Sequence, residues 1–262
     1  MLILAIDTSA AASVALVDGE TVVAQRTEFS ARRHVEYVGP ALTQVLGEGG
    51  RPDAVVVGVG PGPFTGLRAG IAAGIGAAVG ADVPVHGVVS HDALALRTLA
   101  AGGDAATVDG AAAEHAGDAG HAGDAGRQGD HGLGGGSASV LVATDARRRE
   151  VYASLYANLD SDGLPIVQAG PAVLAPAAVE DWLRETAPGS SPRRVGRGFV
   201  LHPEVLGAPD DEEPEALDPT AVWLAWVAHR ALTAGRTLPG TEPLYLREPD
   251  AAPTPRRSTP LT

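Results

Sequence analysis

Residues 58–68 read G-V-G-P-G-P-F-T-G-L-R, the stretch with the clearest capacity for chemistry. Gly60, Gly62 and Gly66 admit backbone angles that other residues avoid, while Pro61 and Pro63 fix φ and carry no N–H. A stiff, tightly turned loop therefore follows the strand-like run 54–59, and Thr65 stands where it would cap the helix behind it. A glycine loop between a strand and a helix N-terminus is an arrangement that binds phosphate. The spacing here is neither G-x-G-x-x-G nor a P-loop, so the motif alone specifies no nucleotide.

Absent residue types exclude other chemistries. Cys is missing, which removes thiol nucleophiles, disulfides and zinc–thiolate sites. Lys is missing as well: all 19 basic residues are Arg, so there is no P-loop lysine and no Schiff base. None of Ser9, Ser13, Ser30 and Ser90 lies in G-x-S-x-G. Histidines four apart on a helix could grip a metal, but His34 is followed at that spacing by Val38 and His91 by Ala95. His91, between Ser90 and Asp92, reads instead as a helix start. No catalytic residue and no metal site is read from the chain. A net charge of −13 argues against holding nucleic acid unaided, because phosphate contacts dominate that affinity. Part of the excess sits in the run 210–218, which reads as a solvated loop. The N-terminus lacks a basic start and Asp7 interrupts its apolar run, so a soluble cytoplasmic protein is expected.

These residues need elements to position them. Runs 2–6, 13–17 and 21–27 read as strands, with Asp18-Gly19 turning the last two into a hairpin. Residues 34–48 carry Val35, Val38, Leu42 and Val45 at helical spacing, with Pro40 inside. Strands at 54–59 and 83–88 enclose a helix over 66–79, and another helix covers 91–101. Three antiparallel strands followed by alternating helix and strand is the order of a ribonuclease-H-like lobe. Residues 102–137 repeat Ala, Gly, Asp and His, and cannot bury enough surface to offset their ordering entropy. They read as a disordered linker, with weak metal binding by His115, His121 and His131 as the alternative. Strand–turn–strand returns over 139–157, around Asp145-Ala146-Arg147-Arg148-Arg149-Glu150. A short helix over 177–186, a strand over 194–198, a helix from Pro219 to Ala234 and a short ordered ending at 244–247 complete the chain.

The helix at 66–79 is unusual, because no charge appears between Arg68 and Asp82. A helix apolar all round must be covered all round, and this one is shorter than the roughly 20 residues of a membrane span. Gly66, Gly70 and Gly74 recur every four residues and form a flat stripe on one face. Two readings follow: close packing on the chain's own sheet, or a seat for a partner's helix. The second is the one the spacing favours.

Four motifs now stand in order: I-L-A-I-D-T-S at 3–9, G-V-G-P-G-P-F-T-G-L-R-A-G-I at 58–71, D-A-R-R-R-E-V-Y-A at 145–153 and E-P-L-Y-L-R at 242–247. Together they resemble the TsaB family, also called YeaZ, over nearly the whole chain except 102–137 and the tail. The resemblance implies an α/β, two-lobed actin-like fold of the sugar kinase/Hsp70/actin superfamily with ribonuclease-H-like lobes. Residues 1–101 would form the first lobe, 102–137 a low-complexity insertion and 138–218 the second lobe. Residues 219–248 would be a C-terminal helix and ordered ending packing back on the first lobe, with 249–262 a loose tail.

The resemblance further implies a non-catalytic scaffold or activator of the bacterial complex that makes threonylcarbamoyladenosine on tRNA. Its partners would be a TsaD-like paralogue, a TsaE-like ATPase, a second copy of itself when alone, and tRNA only indirectly. The partner surface would comprise Val35, Val38, Leu42, Val45, Gly66, Leu67, Gly70, Ile71 and Gly74. In the superfamily two phosphate loops hold a nucleotide. Asp7, Thr8 and Ser9 match the first, and Asp145 the second, although Ala146 and three arginines replace its glycine cradle. Nucleotide binding there is read as vestigial, with ATP at the partner interface as the remaining cofactor role. The alternative function is an actin-like phosphotransferase or metallohydrolase acting alone.

Overall fold

The alternation of side chains along β1 (Leu2–Asp7) sets the architecture. Ile3 and Ala5 enter one core and Leu4 and Ile6 another, so the sheet is buried on both faces. The computed structural model describes residues 1–29, 34–102 and 139–247, except for the side chains of His34 and Val35. The proposed linker, its histidines and the proposed tail lie outside these residues, apart from Gly102 at the end of a helix.

β1 pairs antiparallel with β2 (Ala12–Asp18), and β2 with β3 (Thr21–Glu28). After α1 (His34–Gly49), β4 (Ala54–Gly58) joins β1 in parallel. α2 (Phe64–Ala81) then leads to β5 (Val85–Val88), parallel to β4. The sheet order is β3-β2-β1-β4-β5. α3 (Ser90–Gly102) closes this half. The second half opens with β6 (Val140–Asp145), β7 (Val151–Leu159) and β8 (Pro165–Leu174). α4 (Val179–Thr186), β9 (Arg193–Val195), α5 (Arg197–Leu201), α6 (Pro203–Leu206) and α7 (Pro214–Leu217) follow. The second sheet runs β8-β7-β6-β9. α8 (Ala221–Thr233) returns to the first sheet, where Leu224, Ala225 and Ala228 pack on Ile3, Ala15 and Val17.

The sequence reading needs correction in several places. β8 has no counterpart in it. Pro165 and the Gly170-Pro171 pair disguise this strand, which tolerates them because it lies at the sheet's edge. Residues 197–198 belong to a helix and not to a strand. α2 starts at Phe64 with Pro63 as its cap residue, so Thr65 is not the N-cap. The acidic run 210–218 is not simply solvated: Asp218 is buried against Arg197, and Asp211 pairs with Arg97 of α3 at 2.6 Å.

The glycine stripe faces inward. A methyl built on Gly70 would collide with Thr8 Oγ1, and one on Gly74 with a methyl of Val57. The Gly66 carbonyl accepts from Thr8 Oγ1 at 2.7 Å. The backbone that approaches closely is therefore the chain's own sheet, which is the first of the two readings above.

α3 serves both sheets. Ala93 and Leu96 enter the first core, while Leu94, Ala95 and Leu99 pack with Val140, Val142, Tyr156 and Val195 of the second. At its N-terminus His91 is fully buried, with Nδ1 2.8 Å from Ser154 Oγ and Nε2 2.8 Å from Thr144 Oγ1. Burial lowers its pKa to about 3. The next residue, Asp92, accepts from Tyr156 Oη at 2.7 Å, and burial raises its pKa to about 6.

Two measurements test this packing. Gly70→Leu and Gly74→Leu should each lower unfolding stability in urea by about 1–3 kcal/mol or more through overpacking. Gly76→Ala, where an added methyl meets nothing within 4 Å, should instead raise it by up to ~1 kcal/mol. Between pH 6.5 and about 3 the unfolded chain protonates His91 and the folded chain does not, so the His91 contribution to stability falls as pH falls through that window. Asp92 acts oppositely between 3.8 and about 6, where the folded chain holds the extra proton. The difference in unfolding free energy between the wild type and His91→Gln isolates the first effect. That difference should shrink by roughly 4 kcal/mol from pH 7 to pH 3. A flat difference would show that His91 titrates as it does in the unfolded chain.

Candidate partner surface and interlobe cleft

Asp7 sits at the end of β1, where the parallel strands converge and a carboxylate could meet a ligand. The fold turns it inward. Its Oδ1 accepts from Ser9 N at 2.8 Å and Ser9 Oγ at 2.6 Å, and its Oδ2 accepts from Ser90 Oγ at 2.6 Å. It is fully buried, and desolvation raises its pKa. Thr8 is committed to Gly66. Of the predicted first phosphate loop, only Ser9 reaches the cleft between the lobes.

Asp145 reaches the same cleft, so the structure brings Ser9 and Asp145 together as the paired-loop reading requires. The chemistry is not that of a phosphate cradle. Asp145 Oδ1 accepts from Arg147 N at 2.7 Å and Oδ2 lies 3.2 Å from Arg147 Nη1, so the carboxylate holds its own turn. Arg147, Arg148 and Arg149 take φ values of 60°, 54° and 62° in that turn. Across the cleft, Arg197 Nε donates to Asp218 at 2.8 Å, and that bond raises the arginine's pKa. Two arginines thus meet two aspartates, leaving little surplus positive charge for a phosphate. The cavity is about 180 Å³, below the roughly 300 Å³ at which ligand pockets begin. Arg197 and Asp218 escaped the sequence reading. The one available signal was the position of Asp218 directly before the Pro219 of a helix start.

The glycine loop is also occupied. Gly62 lies against the Ser9 backbone, where a methyl would sit 2.7 Å from the Ser9 carbonyl oxygen. Tyr245 stacks flat on Phe64 at 4.1 Å, Arg68 Nε donates to Tyr245 Oη at 2.8 Å, and Leu244 N donates to the Val59 carbonyl at 2.8 Å. The C-terminal residues thereby cover the start of α2, where an anion would bind. Among the described residues no group of three or more His, Asp or Glu side chains is arranged to hold a metal.

The outer face of α2 differs. Val79 is 76% exposed and Ile75 38%. Ala72, Gly76 and Gly80 lie exposed on the same face. No charge interrupts it from Arg68 to Asp82. α1 lies alongside, with Gly39, Pro40 and Gly47 exposed. The predicted partner residues mostly point the other way. Gly66, Leu67, Gly70, Ile71 and Gly74 are buried in the chain's own core, as are Val38 and Val45, while Leu42 is half-buried. Gly76 and Gly80, which the sequence reading did not single out, form a second pair at i and i+4 on the face left over once the first three meet the sheet. α2 is long and apolar enough to cross a membrane by length and composition, but its inner face rests on the sheet.

Comparisons with known proteins agree with this architecture. Residues 21–116 match the family model TsaD: tRNA N6-adenosine threonylcarbamoyltransferase. The chain is 32% identical over 257 residues to the tRNA threonylcarbamoyladenosine biosynthesis protein TsaB of Escherichia coli, covering 94% of this chain and 95% of that protein. It is 33% identical over 258 residues to the uncharacterized protein Rv3421c of Mycobacterium tuberculosis, covering 96% and 94%. Against the uncharacterized protein ML0378 of Mycobacterium leprae the identity is 33% over 261 residues, and there the chain spans only 56% of the relative's length. The solved structure of YeaZ from Pseudomonas aeruginosa superposes with a TM-score of 0.65 at 28% identity, covering 94% of this chain and 99% of that one. With two sheets and their flanking helices arranged as an actin-like, two-lobed α/β fold, the chain belongs to the TsaB (YeaZ) family.

Proposed function

We propose that this protein works in tRNA threonylcarbamoyladenosine biosynthesis as a non-catalytic subunit, docking a TsaD-like transferase through the outer face of α1 and α2. The observation that carries the reading is the charge-free outer face of α2, with Val79 three-quarters exposed. An exposed apolar side chain of this size contributes about 1.5–3 kcal/mol when a partner buries it fully. Contiguous faces of this kind mark interaction sites. Gly76 and Gly80, with open space where their side chains would be, let a second helix backbone come close. The same face accounts for self-association when the transferase is absent.

The buried commitments of Asp7 and Thr8, and the small charge-balanced cleft, support a supporting role over independent catalysis. The activator would act by binding the competent form of the transferase more tightly than its other forms, since only a difference in affinity shifts such an equilibrium. A TsaE-like ATPase would join the pair. The acidic charge of this chain leaves tRNA to the transferase and the joint surface. A cytoplasmic location follows from that role.

Two tests follow. Val79→Glu should weaken binding to the TsaD-like partner by about 100-fold or more, and abolish threonylcarbamoyl transfer in the reconstituted system, while far-UV circular dichroism stays that of the wild type. Unchanged affinity would place the interface elsewhere. Titration of ATP into the isolated protein should give no saturable heat. A saturable isotherm would return the cleft to use as a nucleotide site.

A further inference from the structure

The strongest unassigned feature lies at the boundary between the lobes, where three consecutive side chains of α3 reach in opposite directions. Ser90 is tied to the first sheet: its Oγ donates to Asp7 at 2.6 Å and accepts from Gly60 N at 3.2 Å, and its N–H donates to the Gly60 carbonyl at 2.7 Å. His91 is tied to the second sheet through Thr144 and Ser154, and Asp92 through Tyr156. All three contacts to the second sheet are buried or nearly so. A neutral imidazole suits this setting, since one nitrogen donates to one hydroxyl and the other accepts from its neighbour.

We propose that Ser90, His91 and Asp92 form a lock that holds the two lobes in one closed arrangement, so that the cleft between them does not open. Opening would strip both ring nitrogens and the Asp92 carboxyl of their partners. A buried polar group left unsatisfied is more costly than the net gain from making the bond. It would also part Leu94, Ala95 and Leu99 from Val140, Val142 and Val195, which form a single apolar cluster. Two further ties flank the lock along the same helix: Arg97 to Asp211 at 2.6 Å and Arg193 Nη1 to the Thr98 carbonyl at 3.1 Å. The consequence is a rigid body. Any partner meeting α2 also meets a second lobe at a fixed distance and angle. This inference depends on no partner and goes beyond the docking reading, so either can fail without the other.

The chain has no native cysteine, so a pair of spin labels can be placed cleanly. Thr43→Cys in α1 and Glu185→Cys in α4 are both exposed, one in each lobe. Electron–electron distance measurement on the full chain, diluted into excess unlabelled protein so that distances between copies drop out, should give one narrow distribution. His91→Ala, and the milder Tyr156→Phe, should each add a second, longer population, with amide exchange in β6 and β7 faster by about tenfold or more. Should His91→Ala fail to fold, Tyr156→Phe and the parent protein carry the test. Two populations in the parent, or a folded Tyr156→Phe variant as narrow as the parent, would overturn the lock.

Discussion

The rest of the structure depends on how closely α2 lies on the first sheet. Gly70 and Gly74 bring the helix backbone against Thr8 and Val57, closer than any side chain would permit, and the Gly66 carbonyl accepts from Thr8. One face of an uncharged helix is thereby covered, and Thr8 is drawn into a bond with a helix carbonyl. The price is a helix whose other side still carries no charge. Ile75 and Val79 are left outside because the sheet is already filled by Leu67, Ile71 and Ala78 beneath them. An apolar helix fully covered by its own fold would have ended the matter. This one is covered on one side, and the remaining surface is apolar and open to solvent, the kind of face that marks interaction sites.

The same economy of position appears at the lobe boundary. Residues whose types could perform catalysis serve as joints. The Asp7 carboxylate receives three hydrogen bonds from Ser9 and Ser90, and His91 bridges two hydroxyls across the lobes. Desolvation moves Asp7 and His91 toward their neutral forms. A carboxyl whose pKa burial raises and whose oxygens are already occupied, and an imidazole kept from protonating, are poor instruments for moving protons at neutral pH. Shifted acid–base groups usually draw attention as functional candidates. Here full burial with every partner supplied by the fold points to a structural use.

Much of the fold was legible because its signals are local. The Asp18-Gly19 turn marked the β2–β3 hairpin, and the apolar runs at 54–59 and 83–88 on either side of α2 marked the parallel strands β4 and β5, which are a little shorter. What escaped depended on distant partners. β8 was hidden because Pro165 and Pro171 argue against a strand unless it lies at a sheet edge, and edge position is a property of the assembled sheet. Asp218 looked solvated within a run of acids, although Arg197, more than twenty residues earlier, neutralises it in the interior. Most residues read as a partner surface on α1 and α2 lie on the faces that those helices turn to the chain's own core. Helical spacing identifies which residues share a face, but only the sheet decides which face it covers.

The cleft shows why matching a motif's position does not carry over its chemistry. Ser9 and Asp145 stand where two phosphate loops would meet, yet the turn after Asp145 is built from three arginines in left-handed backbone conformation. Each such residue costs about 1–2 kcal/mol, which glycine would not incur. The turn recovers part of that through Arg147 N to Asp145, Ala146 N to the Glu150 carbonyl and Glu150 N to the Arg147 carbonyl. Those bonds occupy the carboxylate and three of the turn's backbone amides. Glu150 in turn pairs with Arg247, two residues beyond the Tyr245 that lies flat on Phe64. The arginine turn is thus connected through the C-terminal residues to the first turn of α2. The turn is held from both sides, while the outer face of α2 stays uncharged and open to solvent.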